Sequence, residues 1–268
     1  MTLSTETPQR GAPESATRRA DTASDGADRA GWRALATQPL LVLAGLLAFA
    51  VWRVNATLTE TEARQLGWAA LWRSTREHLL LTVTAAVIVL ALAVPLGIAL
   101  TRAPLRRMSP LVIGVANTGQ AAPAIGLFVL LATWLGFGFG TTVVALVLYA
   151  ALPVLRNTMV GLQGVDPRLV EAGRGMGMSA AAVLFRVELP LAVPVVLSGV
   201  RTALVLLVGT ATLATFINGG GLGVLINTGI TLSLDSLLVS GAVLVALLAL
   251  AVDWLGRVVE HVARPKGL

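Results

Sequence analysis

Long uncharged apolar runs alternate along this chain with short segments in which the charges gather. A helix needs about 20 consecutive apolar residues to cross a bilayer. Ala34 to Trp52 is the first such run and Leu79 to Thr101 the second. Met108 to Leu155 carries no charge at all, enough for two spans joined at Gly136-Phe137-Gly138-Phe139-Gly140. Pro190 to Leu234, interrupted only by Arg201, supplies a fifth span and a glycine-rich loop. Ser236 to Val252, extendable to Leu255, is the sixth. The pattern predicts an all-α, polytopic membrane bundle of about six transmembrane helices.

The segments between the runs complete the organisation. Residues 1–33 are rich in Ala, Thr, Ser, Asp and Arg and read as a disordered cytoplasmic tail. No apolar core follows the start, so the tail is not a signal peptide. A first transmembrane helix is expected over 34–54. Over 55–76, Leu66, Trp68, Leu71 and Trp72 stand among charged residues, as in an external amphipathic connector with its indoles at headgroup depth. The transmembrane core occupies 77–256, and 257–268 forms a second cytoplasmic tail.

Composition narrows the class. The chain has 268 residues, 56% hydrophobic and 13% charged, with a mean hydropathy of +0.81. No soluble domain hides that much apolar surface. Cysteine is absent, which excludes disulfides, thiolate metal sites and cysteine catalysis. The two histidines, His78 and His261, fall near opposite membrane faces and read as surface residues, so neither a metal nor a catalytic site is expected. The net charge of +6 raises the question of nucleic acid. Its distribution answers it. With the N-terminus inside, Arg102, Arg106, Arg107, Arg156, Arg168, Arg174, Arg186, Arg257, Arg264 and Lys266 all lie in cytoplasmic segments. The later outer turns hold no basic residue. This is the positive-inside pattern, and no nucleic-acid partner is expected.

The loop over 164–190 is unusually specific. Asp166-Pro167 starts a helix, with Asp as cap and Pro in the first turn. Gly173, Gly175 and Gly177 weaken that helix and permit a sharp turn. Ser179 caps a second short helix, carrying Val183, Leu184, Phe185 and Val187, that is expected to stop before Pro190. The result is a helix-turn-helix with an apolar ridge turned toward another protein.

Glu171-Ala172-Gly173, Gly177 and Val187-Glu188-Leu189-Pro190 resemble the EAA loop of bacterial ATP-binding-cassette importer permeases. Gly173 stands where that family usually has Ala, and Val187 where Ile is frequent. The resemblance extends through Leu152-Pro153-Val154-Leu155-Arg156-Asn157-Thr158, Gly199-Val200-Arg201-Thr202-Ala203 and Gly219-Gly220-Gly221-Leu222-Gly223. Over roughly 77–232 the chain looks like a permease of the osmoprotectant importers, which carry glycine betaine, carnitine, choline or proline betaine. The resemblance implies a five-helix permease core and two permease subunits, identical or paralogous, around one pathway. It also implies cytoplasmic ATPase subunits docked on the loop and an external substrate-binding protein. Glu171, Ala172, Gly173, Gly177, Leu184, Phe185 and Pro190 then form the coupling loop.

The residues agree with that division of labour. A P-loop requires a glycine-rich turn ending in Gly-Lys-Ser/Thr, and Lys266 is the only lysine. No cofactor is expected on this chain, ATP-Mg belonging to the partner ATPase. Aromatic cages hold quaternary ammonium groups, yet Tyr149 is the single tyrosine and the six tryptophans lie mostly near span ends. Tight selection therefore falls to the external binding protein.

Five residues are candidates for the pathway or its gate. Arg201 lies within the fifth span, a costly place for a charge. Backbone carbonyls, Asn117, Gln120, Asp235 and Asp253 are its possible partners, and it serves either the pathway or the packing. Gln120 and Pro123 either line the pathway or mark a packing kink. Gly220 and Gly221 belong either to an outer re-entrant turn or to a flexible loop. Two other readings stay open: a permease for methionine or another small solute, and a channel or membrane-embedded enzyme without an ATPase. An enzyme would need a nucleophile, base or metal set at one depth, and no such set is evident.

Overall fold

A computed structural model describes residues 36–263. The tail expected over 1–33 and the last residues of the second tail lie outside the described residues. No strand occurs among the described residues.

Helix α1 runs from Ala36 to Asn55. A short helix, α2 (Glu60–Gln65), follows with a reciprocal cap: Thr59 N–H donates to Glu62 at 2.8 Å. Helix α3 extends from Trp68 to Thr101, 34 residues, about 51 Å at 1.5 Å per residue. It begins well before the apolar run at Leu79, so much of the expected connector is its first three turns, with Trp68 and Trp72 exposed. A 3-10 turn at Arg106–Met108 leads into α4 (Ser109–Ala121) and α5 (Ala124–Leu135).

These two helices meet at 99°. The kink expected at Pro123 is a full break, because proline drives the residue before it out of the helical region and Ala122 adopts φ −63°, ψ 142°. Counting the bent pair as one span, the described residues hold up to six candidate spans.

Helix α6 (Phe139–Gln163) returns across the bundle, and α7 (Pro167–Gly175) and α8 (Ala180–Val183) form the loop at its end. We call this loop the foot. The second foot helix does not stop before Pro190. A π turn, Leu184–Glu188, joins α8 to α9 (Leu189–Thr210), and a 3-10 stretch continues to Ile217. Ala180 to Ile217 is one helical rod of 38 residues. The wider turn lets Leu189 N–H reach back to the Leu184 carbonyl, which relieves the clash a proline makes in a tighter helix. Helices α10 (Gly223–Leu232) and α11 (Asp235–Ala263) complete the chain, and α11 carries helix through the start of the expected second tail.

Two apolar clusters hold the bundle. One centres on Leu81, Val89, Phe128, Leu146, Val154 and Leu207, between α3, α5, α6 and α9. The other joins Phe49, Leu71, Leu225, Leu237 and Val245 from α1, α3, α10 and α11. Two buried hydroxyls are satisfied by nearby carbonyls: Thr82 donates to that of His78 at 2.9 Å and Ser109 to that of Leu100 at 2.9 Å. Val83, Val87, Leu130 and Val239 point outward. In water such a surface would aggregate; in a bilayer it is solvated, and the fold is membrane-embedded.

Candidate functional site

The foot is built by local rules. Asp166 Oδ1 accepts the Arg168 N–H at 2.9 Å and Pro167 opens α7. Gly177 takes φ +81°, a left-handed conformation that glycine adopts without strain, and reverses the chain. Met178 N–H then bonds the Gly173 carbonyl at 3.1 Å, and Ser179 Oγ accepts the Ala182 N–H at 3.2 Å to start α8. Of the three glycines only Gly177 makes the turn. Gly173 is buried, with Val183, Met178 and Val187 closing over it.

The expected apolar ridge is divided by this packing. Val183 is fully buried and Val187 half-buried against α7, so both hold the foot together. Leu184 is half-buried, while Phe185 is 66% exposed. Met176, 73% exposed, and Leu169 join Phe185 as the apolar tip. Sequence reasoning missed Met176 and Leu169. Met176 could have been found, because an apolar residue just before a left-handed glycine sits at a turn apex with nothing beneath it. Glu171, Ala172 and Pro190 are exposed, as are Arg168, Arg174 and Arg186. The foot therefore exposes apolar side chains together with three arginines, Glu171 and Asp166.

Glu188, in the π turn, is only 6% exposed. Arg102, just past the end of α3, grips it with two prongs: Nη1 donates to Oε1 at 3.2 Å, and Nη2 donates to Oε2. The partners lie 86 positions apart in sequence, and no local spacing announces the pair.

Arg201 is engaged by acids. Its Nε lies 3.6 Å from Asp253 Oδ1 and its Nη1 3.4 Å from Glu260 Oε2, both on α11. Asp253 was among the expected partners and Glu260 was not. Arg257 and Gln38 also donate to Asp253 Oδ2, at 2.9 and 3.0 Å. The Arg201 stem lies across Gly256, where a Cβ would fall 2.8 Å from Arg201 Cγ. The group ties α9 to α11 and α1. The other expected partners are occupied elsewhere: Asn117 accepts from Arg156 at 2.9 Å, and Gln120 Nε2 donates to the Tyr149 carbonyl at 3.4 Å. Asp235 opens α11 at its other end.

Gln120 and Pro123 flank the broken span. An apolar cavity of about 510 Å³ lies beside it, lined among others by Leu92, Leu96, Val115, Gly119, Leu127 and Leu148. Interrupted helices persist in a membrane only where protein or water satisfies the freed backbone.

At the end opposite the foot, Gly220 and Gly221 take φ +78° and +86° and the loop packs down on α3. Gly221 N–H donates to Glu77 Oε2 at 3.1 Å. This loop covers His78, which is fully buried with Nε2 2.9 Å from the Val208 carbonyl. The expected surface position of His78 is thus corrected: the chain folds over it from residues far along the sequence. His261 is half-buried in α11. Among the described residues no three His, Asp or Glu side chains gather around a common ion position.

Comparison with known proteins places the whole arrangement. Residues 93–264 match the family model described as binding-protein-dependent transport system inner membrane component. The chain is 41% identical over 204 residues to the glycine betaine/carnitine/choline transport system permease protein OpuCB of Bacillus subtilis (strain 168), covering 76% of this chain and 93% of that one. It is 39% identical over 204 residues to the choline transport system permease protein OpuBB of the same organism, again covering 76% and 93%. It is 39% identical over 199 residues to the osmoprotectant import permease protein OsmW of Salmonella typhimurium (strain LT2), covering 72% and 92%. Among solved structures, inward-facing MetNI methionine ABC transporter superposes with a TM-score of 0.66 at 21% identity, covering 78% of this chain and 100% of that one.

Proposed function

The chain belongs to the family of binding-protein-dependent transport system inner membrane components, and from that premise we propose that it is the permease subunit of an importer for quaternary-ammonium osmoprotectants. Glycine betaine, carnitine and choline are the candidate solutes, since those words describe the relatives at 39–41% identity. The methionine transporter shares the fold at 21% identity, which supports no substrate assignment. The family implies two kinds of partner, an ATPase and a solute-binding protein. A second permease subunit, identical or paralogous, completes the pathway.

The observation that carries this reading is the continuity of the rod from Ala180 to Ile217. An exposed tip of Leu169, Met176 and Phe185 stands at one end of it. A partner that grips the tip moves a stiff lever through the membrane core, since interfaces and packed cores shift between discrete states. The foot end is cytoplasmic and the glycine-loop end external, in keeping with the arginines on the foot. Glu171 and the exposed arginines orient the ATPase; Phe185 and Met176 enter its groove. ATP-Mg is bound and hydrolysed on that partner, and this chain is non-catalytic. The break at Gln120 to Pro123 and the cavity beside it belong to the pathway.

The test uses the chain reconstituted in liposomes with its ATPase and binding protein. Uptake of labelled glycine betaine, carnitine, choline and methionine is followed with and without ATP. ATP-dependent accumulation of a quaternary ammonium solute, and none of methionine, is expected. Accumulation of methionine alone, or uptake without the ATPase, contradicts the proposal.

A further inference from the structure

We propose that the Arg102–Glu188 pair is the joint that makes α3 follow the foot, so that α3 and the α9 rod move as one body. This rests on the reading of the foot as the ATPase-docking element. The rod carries the foot's movement directly, whereas α3 ends at Thr101 and has no such covalent connection. The pair supplies it. Arg102 is anchored to its own helix through its N–H on the Ala99 carbonyl at 3.1 Å. A two-pronged arginine–carboxylate contact fixes distance and plane together, which a lysine cannot do. Glu188 is nearly fully buried, and Arg102 Nε is buried with no hydrogen-bond partner. A carboxylate withdrawn from water is held only by such pairing, so the contact resists slipping. Arg102 also follows the C-terminal turn of α3, where a cation is favoured.

A second tie lies at the far end, where His78 of α3 meets the Val208 carbonyl of α9 at 2.9 Å. Between the ties, α6 is wedged against both helices. A Cβ at Gly97 would lie 2.8 Å from Thr158 Cβ, and one at Gly199 2.5 Å from Asn157 Cβ. Fastened at both ends and filled between, α3 cannot slide along the rod. Arg102 and Glu188 are therefore positioning residues that act through the helices they join.

The experiment uses the reconstituted complex and reads two quantities. The first is solute accumulated per ATP hydrolysed. Arg102→Gln and Glu188→Gln should keep the ATPase bound and hydrolysing while this ratio falls about ten-fold. Arg102→Lys should fall part of the way, and the exchange Arg102→Glu with Glu188→Arg should recover most of the ratio. Wild-type ratios in both single variants overturn the proposal. The second quantity does not depend on transport. The chain has no cysteine, so spin labels at Ala103→Cys and Ala181→Cys report one distance. That distance should stay constant between nucleotide-free and ATP-bound complexes, and become nucleotide-dependent with Glu188→Gln. A change in the otherwise unmutated complex overturns the joint. Failure of the docking reading has its own signature: the unmutated chain retains no ATPase, which overturns that reading and this proposal together.

Discussion

Two of the glycine-rich segments of this chain, 173–177 in the foot and 219–223 at the opposite end, use glycine differently. In the foot it provides conformation. Gly177 takes a left-handed φ with nothing within 4 Å of where a Cβ would stand. At the far end Gly220 and Gly221 also take left-handed φ, but glycine there provides room as well. A Cβ on Gly223 would fall 2.0 Å from the Thr212 carbonyl oxygen, and one on Gly219 2.4 Å from Thr142 Oγ1. The foot is a locally specified object standing free of the bundle, ready to be held by something else. The opposite loop is a packed lid whose neighbours come from distant parts of the chain. One region is built to be gripped and the other to hold.

That contrast can be broken by substitution. The largest effect is expected at Gly223→Ala, where the obstacle is backbone that cannot turn aside. Overpacking of this kind costs about 1–3 kcal/mol or more, and detergent-solubilised protein should lose its monodisperse peak or melt well below the parent. Next comes His78→Leu, which removes the bond to the Val208 carbonyl and leaves that oxygen buried. The loss should be about 1–3 kcal/mol, read as a lowered melting temperature with the ATPase still bound. Gly177→Ala should cost about 1–2 kcal/mol of local strain, since a side chain there opposes the left-handed conformation. The bundle should melt almost as before while transport falls, which separates a foot defect from a bundle defect. The smallest effect belongs to Gly173→Ala. Its Cβ would meet Val183 Cγ2 at 3.4 Å, an ordinary contact, and alanine favours helix by up to about 1 kcal/mol. Uptake should be unchanged and stability equal or slightly higher. A large loss at Gly173 would show that the foot is packed as tightly as the far loop, and the comparison would fail.

The same contrast explains what the sequence revealed. The foot was readable because capping and turning are short-range effects: Asp166 before Pro167, Ser179 before alanines, and glycine at the turn. The spans were readable because the bilayer demands long apolar runs. Three features were not fully readable. Pro190 looked like a stop, and only a π turn lets the helix run through it. His78 looked exposed because nothing near it in sequence covers it; the cover comes from Gly221. Asp253 was one of several partners open to Arg201, and neither the choice among them nor Glu260 was evident, because both acids belong to another span. The arginine–glutamate pair at the foot escaped notice for the same reason. Even within the foot, Val183 and Val187 could not be assigned inward until α7 was known to fold against them.

The central claim is that the foot faces the cytoplasm and is held there by an ATPase. Replacing Phe185 with cysteine in the otherwise cysteine-free chain tests it directly, with a membrane-impermeant maleimide applied to right-side-out and inverted vesicles. The account requires labelling only from the cytoplasmic side, protection when the ATPase is present, and a cross-linked adduct to that ATPase. Labelling from the exterior, or equal labelling with and without the ATPase, would contradict it.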